Sequence, residues 1–134
     1  MCAKSLLLVF GILLGLSHLS LSQDWPTFQR KHITSTSSID CNTVMNNSLF
    51  IIRGTCKEVN TFIVSTAATV QDICSGVPGP SNVTSSTNFE LIDCIRRSEV
   101  PPPCPYNSNS ENNVICVTCE RTLPVHFVRK GRCP

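Results

Sequence analysis

The fold can be read outward from Cys56-Lys57-Glu58-Val59-Asn60-Thr61-Phe62-Ile63. Val59, Thr61, Phe62, Ile63 and Val64 are β-branched or aromatic, and they predict a strand over Lys57 to Ser65. The same enrichment or alternation recurs at Phe89 to Arg97, Val114 to Glu120 and Val125 to Arg129. Between these strands, Gly76 to Ser86 and Pro101 to Asn113 are polar and rich in turn residues, including Pro-Gly, Asn-Ser and a Pro-Pro-Pro run, and are expected as loops.

Upstream of the first strand the pattern turns helical. Asp24 can cap a helix with Pro26 in its first turn, and Phe28 and His32 then share one face. A second helix starts near Asp40, where Cys41, Val44 and Met45 form an inward stripe, and a third holds Val70, Ile73 and Cys74. Such short helices need tertiary support. Helices first and strands later predict an α+β fold on antiparallel sheet, without internal repeats or loops long enough to link domains.

Residues 1–22 carry Lys4, an apolar run from Leu6 to Leu16 and the small-residue ending Ser20-Leu21-Ser22, the pattern of a secretory signal peptide. The apolar run is short for a membrane span, and no later segment approaches the roughly 20 apolar residues one needs. Cleavage after Ser22 would leave one domain, residues 23–134, soluble and exported. Cys2 would leave with the leader, and the remaining eight cysteines predict four disulfides, with 105 pairings open. A zinc reading of Cys116-Val117-Thr118-Cys119 is disfavoured because exported thiols are oxidised and no second ligand pair stands at metal spacing. The mature net charge of +1 does not announce a nucleic-acid binder. Arg30-Lys31, Arg96-Arg97 and Arg129, Lys130 and Arg132 are clustered, but such clusters are usually solvated surface.

The mature chain keeps two histidines, His32 and His126. Strand alternation turns His126 away from Val125 and Phe127, so it can face a cleft while they face the core. Two imidazoles, one charged and one neutral, are suited to acid–base chemistry near neutral pH.

Phe28-Gln29-Arg30-Lys31-His32-Ile33-Thr34, Cys41-Asn42-Thr43-Val44-Met45, the Cys56–Ile63 stretch and Pro124-Val125-His126-Phe127-Val128 together resemble the pancreatic-type ribonuclease family. The likeness covers the whole mature chain, in order. Gln23-Asp24-Trp25 and the Gly131-Arg132-Cys133-Pro134 ending are most similar to the amphibian branch, that of onconase and the bullfrog sialic-acid-binding lectin ribonucleases.

The resemblance implies three short helices on a V-shaped antiparallel sheet, with disulfides Cys41–Cys94, Cys56–Cys104, Cys74–Cys119 and Cys116–Cys133. It implies a metal-independent, cofactor-free endoribonuclease cutting single-stranded RNA 3′ of pyrimidines through a 2′,3′-cyclic phosphate. His32 would be the base, His126 the acid, and Lys57, with the Phe127 backbone N–H, would stabilise the transition state. Thr61, supported by Asp93, would bind the pyrimidine, Thr118 and Glu120 the base on the 3′ side, with guanine favoured there, and Asn60 belongs to the substrate-binding set. Gln23 would cyclise to pyroglutamate, which places the lactam beside Lys31 at the active site, and both residues belong to the same substrate-binding set. Where mammalian members place an aspartate that orients the second imidazole, this chain has Val128. The same resemblance admits toxicity to cells, a defensive role, extracellular signalling and binding of sialylated glycoconjugates by a monomer. The low charge predicts weaker electrostatic capture of RNA than a strongly basic relative would show. Asn46 and Asn82 begin acceptor sequences for N-glycosylation.

Overall fold

The computed structural model describes residues 24–134, and the expected leader and Gln23 lie outside the described residues. Along the chain come helix α1 (Trp25–His32), strand β1 (Ile33–Thr34), helix α2 (Cys41–Met45), strands β2 (Ile51–Ile52), β3 (Thr55–Cys56) and β4 (Val59–Val64), and helix α3 (Ala67–Gln71), which runs into a 3-10 turn at Asp72–Cys74. Strands β5 (Ser81–Thr84), β6 (Phe89–Arg96), β7 (Tyr106–Asn113), β8 (Ile115–Glu120) and β9 (Leu123–Lys130) complete the fold.

Each helix begins on a side-chain cap. Asp24 accepts from the Thr27 N–H at 2.8 Å, Asp40 from the Asn42 N–H at 3.1 Å, and Thr66 from the Thr69 N–H at 3.2 Å. Helix α1 stops where Ile33 turns extended, and β1 then pairs in parallel with β4, Ile33 opposite Ile63. His32 is therefore fixed at a junction between helix and sheet.

One sheet has the order β1-β4-β6-β7 and a second the order β5-β8-β9, with β2 and β3 forming a separate hairpin. Among the described residues the α+β class and the three helices stand as expected, while the sheet is divided in two and includes one parallel pair. Strand β4 separates two cores. Ile63 packs with Phe28, Val70, Leu91, Ile115 and Val117, whereas Phe62 packs with Met45, Phe50, Ile92 and Tyr106. Disulfides Cys41–Cys94, Cys56–Cys104, Cys74–Cys119 and Cys116–Cys133 tie α2 to β6, β3 to the segment before β7, the 3-10 turn to β8, and the C-terminal tail to β8.

Two expected loops contain strands. Tyr106–Asn113 pairs with β6 along eight residues, although only Tyr106 is buried. As an edge strand it presents polar residues on both faces, so its periodicity is invisible, and pairing with β6 decides its conformation. Ser81–Thr84 likewise pairs with β8. Its entry passes Gly79, at φ +67, so close to β8 that a Cβ there would lie 1.9 Å from the Cys119 carbonyl oxygen. Only glycine fits.

The Cys116–Cys133 bridge closes a short loop of 17 residues' separation. Replacing both cysteines with alanine is expected to cost about 3 kcal/mol and lower the thermal midpoint by on the order of 10 °C, as calorimetry would show.

Candidate active site

His32, 9% exposed, lies 2.9 Å through Nδ1 from the carbonyl oxygen of Thr61. A carbonyl only accepts, so Nδ1 carries the proton and Nε2 keeps its lone pair. The ring sits between Phe28 and Phe127, with centroids at 5.2 and 5.1 Å. Burial, aided by the nearby positive charges of Lys57, Lys31 and His126 and opposed by the Thr61 hydrogen bond, lowers its pKa to about 4.

Lys57 leads into β4. Its Nζ donates to Asn60 Oδ1 at 3.0 Å, while Asn60 Nδ2 donates to the Lys31 carbonyl at 2.8 Å. Buried Asn60 thus ties the lysine to the end of α1. Tyr106, from the edge strand, donates its hydroxyl to the Lys57 carbonyl at 2.6 Å. Burial and the Lys31 charge lower the Lys57 pKa.

The alternation expected around His126 is interrupted on both sides. His126 stands opposite Thr118 and Pro124 opposite Cys119, so Val125 is an extra residue, as is Val128 between Phe127 and Arg129. Val125 consequently lines the same cleft as His126, while Phe127 both lines it and packs on the core. Burial, then Lys57 and Lys31, lower the His126 pKa. Among the described residues no hydrogen bond reaches its ring, and Val128 offers none.

The cleft has a volume of about 290 Å³, and its lining includes Lys31, His32, Lys57, His126 and Phe127. Every titratable group in that lining is a base. It is a site for an anion, and histidine and lysine are the groups available to move protons and balance charge there. Among the described residues no three or more His, Cys, Asp or Glu side chains are grouped to hold a metal.

Beyond the cleft, the Thr61 hydroxyl donates to Asp93 Oδ1 at 2.6 Å, from the directly paired position on β6. Lys130, read from sequence only as part of a surface cluster, reaches Asp93 Oδ2 at 2.5 Å and Glu111 at 2.7 Å. Its hydrogen bonds to Asp93 and Glu111 raise its pKa. On the other sheet, Asn82, Thr118 and His126 form one cross-strand row, and Thr118 donates to Asn82 Oδ1 at 2.8 Å. Glu120 lies two residues along β8, on the Thr118 face. Nothing in the local sequence marked Asn82 or Lys130 as a neighbour of the site, because both arrive by strand pairing.

The family pattern of pancreatic ribonuclease matches residues 23–128. The chain belongs to the pancreatic ribonuclease family. This ribonuclease is 63% identical to "Oocytes ribonuclease" of Aquarana catesbeiana over 134 residues, covering 100% of each chain. It is 45% identical to "Protein P-30" of Lithobates pipiens over 83% of its own length and 100% of the relative's. A cytotoxic ribonuclease of Rana catesbeiana, crystallised with d(ApCpGpA) and (2′,5′CpG), superimposes with a TM-score of 0.75 at 40% identity, covering 83% of this chain and 99% of that one.

Holding His32 neutral has a consequence for the ribonuclease's stability. Its pKa falls from 6.5 to about 4 on folding, so its contribution is complete above pH 6.5 and is lost as the pH falls through 4. The unfolding free energy, measured in urea from pH 7 to 3, should fall by about 3 kcal/mol more in the wild type than in His32→Gln.

Proposed function

We propose that this ribonuclease cleaves single-stranded RNA on the 3′ side of pyrimidines by metal-independent transphosphorylation, as an exported monomer. The observation that carries the reading is the Nδ1 contact of His32 with the Thr61 carbonyl, which leaves Nε2 basic in a cleft shared with His126 and Lys57. Nε2 of His32 takes the ribose 2′-hydroxyl proton as the 2′-oxygen bonds to phosphorus. The bond from phosphorus to the 5′-oxygen breaks, and protonated His126 gives that oxygen its proton. Lys57 and the Phe127 N–H face the charge that grows on the nonbridging oxygens. Water then opens the 2′,3′-cyclic phosphate with the histidine roles reversed. DNA lacks the nucleophile.

The charges of Lys57 and Lys31 add to burial in depressing both histidines, and an entering phosphodiester anion relieves that repulsion. His126, the more exposed imidazole, is then the one that holds a proton. The Thr61–Asp93 pair serves the pyrimidine, and Thr118 and Glu120 serve a guanine on the 3′ side, where a carboxylate can accept from guanine N–H groups. With the leader removed, Gln23 cyclises to pyroglutamate. Asn82 is the exposed glycan acceptor, whereas Asn46 spends its amide on the Asn42 carbonyl and on both backbone groups of Cys104. Binding of sialylated glycoconjugates rests on the sequence resemblance alone, and the catalytic reading has the geometry behind it.

The test is digestion of yeast RNA in excess EDTA. The wild type should act, His32→Ala and His126→Ala should each lose about 10²–10⁴ in kcat, and Lys57→Ala about 10²–10³. Retention of most activity by either histidine variant would refute the mechanism.

The depressed histidines also set the pH profile. With His32 needed neutral and His126 needed charged, kcat/KM should rise with pH through the His32 pKa and fall through that of His126, giving an optimum below pH 6.5. Lys31→Gln removes one of the charges that depress both groups, so both limbs should move to higher pH. An unmoved profile would remove Lys31 from the electrostatics of the site.

A further inference from the structure

The chain of contacts running from Thr61 through Asp93 to Lys130 and Glu111 has a chemical direction. A threonine hydroxyl holds one proton, and here it is given to Asp93 Oδ1 at 2.6 Å. The hydroxyl oxygen can then only accept from a third group. Uracil presents a donor at N3, whereas cytosine presents an acceptor at the same atom. To meet cytosine, Thr61 would have to withdraw its proton from Asp93. Thr61 and Asp93 are both buried, at 7% and 8% exposure, so a carboxylate oxygen abandoned in this way has little water to turn to.

Asp93 is held from its other side. Lys130, on β9 of the second sheet, donates to Oδ2 at 2.5 Å and reaches Glu111 on β7 at 2.7 Å. Glu111 pairs with Leu91 and Asn109 with Asp93, so the two carboxylates lie two residues apart on one face of neighbouring strands. They repel one another unless a cation lies between them. With Lys130 between them, Asp93 is held at Oδ2 and keeps Oδ1 turned to Thr61.

Building on the proposed role of Thr61 at the pyrimidine, we propose that Lys130 is a positioning residue for base choice: by holding Asp93 it commits the Thr61 hydroxyl to accept from the base, which favours uracil over cytosine. Lys130 touches neither the cleft nor the scissile phosphate in this reading, and it acts through Asp93 alone.

The experiment compares kcat/KM for UpG, CpG and ApG in the wild type, Lys130→Met, Lys130→Ala and Lys130→Arg. The wild type should prefer UpG to CpG. The Met and Ala variants should lower that ratio by about fivefold, the effect of one net hydrogen bond, while Lys130→Arg, whose fork can span both carboxylates, should retain it. A purely structural role would lower both rates together and leave the ratio unmoved, and because Lys130 is one-third exposed the truncated chains should fold. An unchanged ratio in Met and Ala, or a wild type that prefers CpG, overturns the inference while leaving pyrimidine recognition intact. Cleavage of ApG as fast as UpG would overturn the role of Thr61 itself.

Discussion

The hydrogen bond between His32 Nδ1 and the Thr61 carbonyl joins the helix that carries one catalytic candidate to the strand around which the site is built. It forms because α1 passes without a loop into β1, and β1 pairs in parallel with β4. Four successive residues of β4 are buried, and each has a different partner. Asn60 joins Lys57 to the end of α1, Thr61 holds His32 and Asp93, and Phe62 and Ile63 anchor opposite cores. A shift of this strand by one residue would exchange the cores and separate all of these groups.

The cleft gathers Lys31, His32, Lys57 and His126 without an acidic side chain in its lining. Burial first, and then the repulsion among these cations, lowers the pKa values of both histidines and of Lys57. The acidic residues stand one layer away: Asp93 and Glu111 engage Lys130, outside the cleft lining. The separation leaves the cleft cations free for a phosphodiester, the anion a ribonuclease must bind, and supports the proposed division of roles. In that division buried His32 is the base and the more exposed His126 the acid.

Much of this was legible along the chain. The caps Asp24 and Asp40 marked two helix starts, the β-branched run after Lys57 marked the central strand, and Phe28 with His32 marked a buried helical face. Strand β7 was not legible, because an edge strand of Asn, Ser and Glu has no apolar period and is held by backbone pairing to β6. Nor were the bulges at Val125 and Val128, which follow from the register of β9 against β8 and change which side chains share the cleft with His126. Lys130 read as one charge in a basic cluster, since the carboxylates it holds come from two distant strands.

The sequence by itself determined the residue types of the chemistry, the order of helices and buried strands, and, through its motifs, the family. These are properties of short windows, where propensity, capping and apolar period act over a few residues. Only the tertiary structure decided which nitrogen of His32 is basic, how far its proton affinity falls, what Lys130 holds, and which residues share the row that ends on His126. Each of these depends on groups far apart in the chain, and on burial, which strengthens charge and hydrogen bonding only once the cores on both sides of β4 have closed.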